Sequence, residues 1–285
     1  MQVIVHGWSG HGGVPGLAGD HPSALLELVA RGGPGPVLVL TPQHLEVIAR
    51  EQASVLVAAQ PGRGVCVLAL PHHALTLAVV ASGVAHRVVG SDPGRVVQEV
   101  LQVTAHSRSL LWHPRLAGLA EPRPGLGQVL AAAWPGRGYL ATVGVPTLVP
   151  DRAGLGHTSG EQWFCPAQVP QRLREVLLPT GVRAVEGHAV GRAPYATAAS
   201  VELAGIVPVH TAVVPGPPCR SCGAGLVGPR CAFCNQGPPR LAAAPAGAPP
   251  TSPTTPVRVD ETDPAGRRSG TSPEPPNEPE KVGAS

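Results

Sequence analysis

Aromatic side chains are scarce: phenylalanine, tryptophan and tyrosine make up 3% of the 285 residues, and methionine occurs once. A core without many large rings has to be filled by valine, leucine and alanine, which pack by branched shape and small size. Lysine is nearly absent as well, Lys281 being the single one, and the formal net charge is only +3. Such a balance sets up no long-range field of the kind that gathers a chain onto nucleic acid or an anionic membrane. Long hydrophobic runs are missing too: the longest, Ala74 to Ala85, reaches roughly half the length that a membrane-spanning helix needs. The opening residues, Met1 to Gly7, lack the basic start, apolar run and small-residue cleavage site of a secretory signal. These absences predict a cytoplasmic chain with no membrane partner.

Glycine and proline are what the sequence has in plenty, 36 and 35 residues respectively, so the ordered length is shorter than the nominal one. The hydrophobic fraction of 43% still suffices for a core. Continuous apolar runs without strict alternation, at 2–6, 37–41, 54–59, 64–70, 138–143, 182–186 and 200–209, suit strands covered on both faces. Helix signals lie between several of them. Asp20 precedes a periodic stretch carrying Leu25, Leu26, Leu28 and Val29, and Thr41-Pro42 opens one with Leu45, Ile48 and Ala49. Ser91-Asp92-Pro93 does the same for Val96, Val97, Val100 and Leu101, and 171–178 forms another short amphipathic candidate. The alternation of strand and helix predicts an α/β fold with a partly parallel sheet and flanking helices. Prolines 114, 122, 124 and 135 predict a long irregular excursion with one short helix between Trp112 and Gly138. The expected organisation is an α/β domain over 1–215, with a possible subdomain boundary near 150, a small ribbon over 216–237 and a disordered, proline-rich tail over 238–285.

The ribbon rests on Cys219-Arg220-Ser221-Cys222-Gly223 followed, after eight intervening residues, by Cys231-Ala232-Phe233-Cys234-Asn235. Each CxxC pair turns two sulfurs toward one metal, and the Gly or Asn behind it tolerates the left-handed backbone that such a turn needs. In a reducing compartment this spacing reads as metal ligation in preference to disulfides. The segment resembles the short CxxC…CxxC zinc ribbon appended to many bacterial proteins, with Asn235 in place of the usual second glycine. The resemblance covers Cys219 to Gly237 and implies Zn held by Cys219, Cys222, Cys231 and Cys234 in a closed structural site. With Phe233 as the module's only aromatic and Arg220 and Arg230 offset by the thiolates, protein contact is favoured over nucleic-acid binding.

A second constellation opens the chain. Val3-Ile4-Val5 runs into His6-Gly7-Trp8-Ser9-Gly10-His11-Gly12-Gly13, which is similar to the oxyanion loop of α/β-hydrolases. The GxSxG elbow of that family is missing, so a nucleophile would have to be Ser9 or Cys165, with His6, His11 or His157 nearby. The twelve histidines all precede the ribbon, and His72 and His73 follow a strand. Cys66, amid valines and leucines, reads as a buried small hydrophobe. No catalytic or cofactor-binding residue is assigned, and whether the chain is an enzyme stays open.

These features lead to an expected zinc-ribbon-bearing adaptor or regulatory interaction protein, with a protein partner and an unknown small-molecule ligand. A hydrolase-like enzyme using the HGWSGHGG loop is one alternative, and a nucleic-acid-binding protein acting through the ribbon is another.

Overall fold

The computed structural model describes residues 1–10, 15–85, 92–117, 119, 123–132, 137–145, 147–156, 159–177, 181–189, 196–197, 199–208, 214 and 216–236. The tail expected over 238–285 lies outside them, as do His11 and His157.

The first half of the chain builds a parallel sheet. Its strands are β1 (Gln2–His6), β3 (Gly16–Leu17), β4 (Val37–Pro42) and β5 (Val65–Leu70), in the order β3-β1-β4-β5, while β2 (Trp8–Gly10) stands outside it. Helices α1 (Ala24–Ala30) and α2 (Glu46–Ala59) cover one face and α3 (Ala74–Ala85) the other. Because neighbouring side chains on a strand point to opposite faces, the sheet divides its apolar residues. Ile4, Val37 and Val39 pack on Leu25, Val29, Ala49 and Leu56. Val3, Val5, Leu38 and Leu40 pack on Leu75, Leu77 and Val84. All six residues of β4 are buried, as a strand covered on both faces requires.

The sequence reading of 54–59 as a strand does not hold: this stretch is the second half of α2. No glycine or proline interrupts the helix before Pro61, and Ser54 Oγ donates back to the Arg50 carbonyl at 2.9 Å. The apolar run of α3 is a helix buried on nearly all sides, because it lies between two sheets. It contacts β1 and β4 below and, above, β9 (Gln162–Pro166) and β12 (Val201–Ile206).

Those two strands belong to a six-stranded mixed sheet with β6 (Arg108–His113), β7 (Tyr139–Thr142), β8 (Leu148–Pro150) and β10 (Arg183–Val185), in the order β10-β9-β12-β6-β7-β8. Strands from both sides of residue 150 share it. Helix α4 (Pro93–Ala105) leads into β6, α5 (Leu126–Ala132) precedes β7, α6 (Gln171–Leu177) follows β9, and β11 (Gly187–Ala189) pairs antiparallel with β2. The sheet's far face buries Leu110, Trp112, Trp163, Cys165, Leu173 and Leu203. Its near face turns Ser109, Leu111 and His113 of β6 and Glu202, Ala204 and Ile206 of β12 toward α3. The result is a mixed α/β fold with a parallel sheet and flanking helices. No helix among the described residues is long and apolar enough to cross a membrane.

Candidate functional site

The four cysteines of the paired motif come together, with all four sulfurs within 4.8 Å of one another. Each knuckle is closed by the same pair of backbone hydrogen bonds. Gly223 N–H donates to the Cys219 carbonyl and Cys219 N–H to the Ala224 carbonyl, both at 2.8 Å. In the second knuckle Asn235 N–H donates to the Cys231 carbonyl at 2.9 Å and Cys231 N–H to the Gln236 carbonyl at 2.8 Å. Gly223 and Asn235 both adopt left-handed backbone, with φ of 76° and 56°. The backbone N–H groups of Cys222 and Ser221 aim at the Cys219 sulfur and draw its thiol down to about 7, while burial pushes Cys222 up to about 12 and raises Cys234, so of these three the thiolate is favoured at Cys219 alone. This cluster can hold a metal ion.

The cluster is packed inward. Cys219, Ala224, Cys231 and Phe233 join the core shared with Val96, Val97, Val100 and Cys66. The Asp92 carboxylate caps α4 by accepting from Arg95 N–H at 3.0 Å and also accepts from Gly225 N–H, 2.9 Å from each oxygen. A groove of about 800 Å³ runs between α2, the β5 edge and the second knuckle, lined by Val57, Val65, Val67 and Phe233 with Arg50 and Arg230. It opens to solvent on the side of the parallel sheet away from α3, and no buried polar side chain lines it.

Buried polar groups gather elsewhere, at the carboxyl ends of the parallel strands. His6 ends β1, Thr41 lies at the end of β4, and His72 and His73 join β5 to α3; Thr76 of α3 and Ser109 and His113 of β6 complete the layer. His6, Thr41, His73, Thr76, Ser109 and His113 are all at most 3% exposed. His72 Nδ1 lies 2.9 Å from Ser109 Oγ and its Nε2 lies 3.0 Å from the Thr104 carbonyl. Thr76 Oγ1 is 2.7 Å from Ser109 Oγ, and His113 Nδ1 is 2.8 Å from Ser200 Oγ. Leu75 N–H, at the start of α3, donates to the Glu202 carboxylate at 2.9 Å.

Burial holds the imidazoles neutral. It lowers His73 to about 3, with His44, His72 and His113 nearby adding to the effect, and it lowers His113 to about 4. His6, His44 and His72 are lowered by the same cause, the Gln52 side chain opposing it at His6 and the Thr104 carbonyl at His72. Burial pushes the Glu202 carboxyl up to about 7, against the pull of Leu75 N–H. No arginine or lysine is buried among the described residues.

The other sequence candidates scatter. Ser9 Oγ meets His188 Nδ1 at 2.8 Å across the β2–β11 pair, with His188 exposed and Ser9 half-buried. Cys165 faces the far side of the six-stranded sheet beside Leu173, and burial raises its thiol. Cys66 is buried and pushed up to about 12. Neither thiol is activated.

A parallel sheet and a mixed sheet sandwiching one apolar helix, with a polar layer at the strand ends, define a two-sheet α/β architecture. No known family model matches the sequence, and no curated protein is similar to it. Solved structures do share the fold. One is a DegV family protein from Eubacterium eligens loaded with heptadecanoic acid, with a TM-score of 0.53 and 13% identity over 73% of this chain and 100% of that one. Another is a DegV family protein from Corynebacterium glutamicum, with a TM-score of 0.51 and 12% identity over 74% and 98%. The likeness is one of fold, and the α/β unit is DegV-like.

This corrects the expected function. The adaptor reading, with a protein partner, took the cysteine module for the working part of the chain. The Eubacterium eligens protein of the same fold is instead loaded with a fatty acid, and the module's apolar residues face the core, where a recruiting finger would present them outward. The nucleic-acid alternative fails for the same reason, and the hydrolase alternative finds no support in the fold neighbours. Sequence reasoning saw His6, His72 and His73 but missed His113, Ser109 and Glu202, which join them only through β6 and β12.

Proposed function

We propose that this protein binds a long-chain carboxylic acid, with the head group received in the histidine and hydroxyl layer at the carboxyl ends of β1, β4 and β5. One observation carries the reading: buried hydrogen-bonding side chains are concentrated at the strand ends where open α/β sheets take ligands, in a fold similar to that of a protein loaded with heptadecanoic acid. Apolar residues continue from this layer along the same face of the six-stranded sheet, where Phe164, Val185 and Ile206 pack on the α3 core. They suit an acyl chain, as the layer suits its polar end. In the same reading Cys219, Cys222, Cys231 and Cys234 hold one structural zinc ion. Four thiolates make a closed tetrahedral set with no open position for water, and the metal supplies folding free energy in place of chemistry.

Delipidated protein titrated with heptadecanoic acid and followed by native mass spectrometry should take up the acid saturably. Its methyl ester, which lacks the acid head group, should bind at least about tenfold more weakly, a difference of about 1.4 kcal/mol. Failure of the acid to saturate, or equal uptake of the ester, overturns the reading.

A further inference from the structure

The polar layer can be read donor by donor. A carbonyl only accepts, so the 3.0 Å contact to Thr104 fixes the proton of His72 on Nε2 and leaves Nδ1 to accept from Ser109 O–H. Ser109 Oγ in turn receives Thr76 O–H at 2.7 Å and, more weakly, His73 N–H at 3.4 Å. That chain is closed within the protein. His113 is different. Its Nδ1 lies 2.8 Å from Ser200 Oγ, which accepts from Thr197 N–H at 2.8 Å and lies 2.9 Å from Thr197 Oγ1, but its Nε2 is buried and meets no donor or acceptor, while the residue is 0% exposed. Leaving such an atom without a partner is costly, and a persistent orphan calls for a partner that the chain alone does not supply.

The surroundings of that atom define the partner. Of the titratable groups around it, His73 lies within electrostatic reach of His113, Glu202 stands two residues along the chain from its partner Ser200, and Tyr139 sits opposite His113 on β7. None of these is a fixed cation, and no arginine or lysine is buried among the described residues. A carboxylate entering here would find no standing positive charge, and an uncompensated buried charge is strongly disfavoured.

We propose that His113 Nε2 is the head-group contact of this protein and that the carboxylate enters together with one proton, which rests on His113. The balance is R–COO⁻ plus H⁺ plus neutral imidazole giving the pair R–COO⁻···H–Nε2, with no bond to carbon made or broken. The inference rests on the acid-binding reading above. Burial that disfavours a lone imidazolium at His113 is offset once a carboxylate lies against it.

Titration calorimetry with heptadecanoic acid at pH 8, where the free acid is ionised, in phosphate and in Tris buffer counts the protons taken up with the ligand. The wild-type protein should take up about one proton per acid bound, by the linkage between ligand contact and a titrating group. His113→Leu should bind at least about tenfold more weakly. His113→Gln, which keeps a polar side chain toward Ser200 but cannot take the proton, should bind as weakly as His113→Leu, with the proton uptake gone, because the carboxylate would stand uncompensated. Glu202→Gln removes the layer's other group able to take a proton, and the acid that this variant binds should still bring one proton with it. Wild-type binding with no buffer dependence, unchanged affinity in His113→Leu, or uptake that vanishes in Glu202→Gln instead of His113→Gln overturns this inference while leaving acid binding in place. Absence of binding by the wild-type protein overturns both.

Discussion

His73 and Glu202, both gathered at the start of α3, pull the pH dependence of stability in opposite directions. The His73 imidazole is lowered to about 3 by burial, so below its ordinary value of 6.5 the unfolded chain binds a proton that the folded chain refuses. Stability therefore falls as pH drops from about 6.5 toward 3, and His113, lowered to about 4, adds to the loss. Glu202 is raised to about 7 from 4.5, so the folded chain keeps a proton that the unfolded chain gives up, and its share of stability declines as pH rises from 4.5 through 7. Each group contributes a limiting slope of about 1.4 kcal/mol per pH unit within its window. Urea unfolding followed by circular dichroism from pH 4 to 8 should show a shallower acid limb in His73→Gln and a shallower decline above pH 4.5 in Glu202→Gln. Unchanged profiles in both variants would mean that the layer is hydrated. The sequence could not announce this pairing. Four cysteines are legible because each CxxC holds both its ligands within one turn, whereas the layer draws on β1, the β5–α3 junction, β6 and β12. Even the neighbours His72 and His73 part company, one to Ser109 and Thr104, the other toward His44 and His113.

Among the elements, the first turn of α4 carries a constraint that inverts an ordinary rule. Replacing glycine by alanine within a helix commonly stabilises by up to about 1 kcal/mol. At Gly94 a Cβ would run into the Gly225 carbonyl, a backbone atom that no rotamer change can move aside. Gly94→Ala should therefore destabilise the protein, by an overpacking cost of about 1–3 kcal/mol. Asp92→Ala, which removes both the helix cap and the acceptor of Gly225 N–H, should cost about 1–2 kcal/mol; chemical denaturation with an unchanged m-value checks both. A neutral or stabilised Gly94→Ala would show that the first knuckle does not rest on α4. This helix start was readable in the sequence, because Asp92 and Pro93 act on their own neighbours. The same local logic found β1, β4 and β5, whose apolar runs are bounded by turn residues. It failed at Ser54–Ala59, where β-branched residues favour a strand but α2 simply continues with Leu56 buried and Val57 outward. It failed again at β6 and β9, since Arg108–His113 and Gln162–Pro166 mix charge, aromatic rings and proline. Their identity as strands comes from pairing with β12, a contact across at least 40 residues that periodicity cannot carry.

For the molecule as a whole, a metal held by the cysteine cluster would be tied to the α/β fold. Cys219, Ala224, Cys231 and Phe233 share a core with residues of β1, β4, α3 and α4, and Phe233 stands against Gly64 at the entry to β5. A finger tethered by a linker would unfold by itself when its metal is removed. One whose apolar side is part of the common core exposes that core when it opens, so its loss is felt throughout. Structural zinc contributes several kcal/mol to the modules that it folds, and in a domain of about 150–250 residues each kcal/mol moves the melting temperature by about 2–4 °C. Zinc-loaded protein should therefore melt in one cooperative transition, and chelation under reducing conditions should lower that transition by roughly 10 °C or more, with elemental analysis giving one zinc per chain before treatment and none after. Cys222→Ser should reproduce the lowered melt without any chelator. Two separate transitions, of which chelation moves only the smaller, would instead make residues 216–237 an independent module that merely leans on α4.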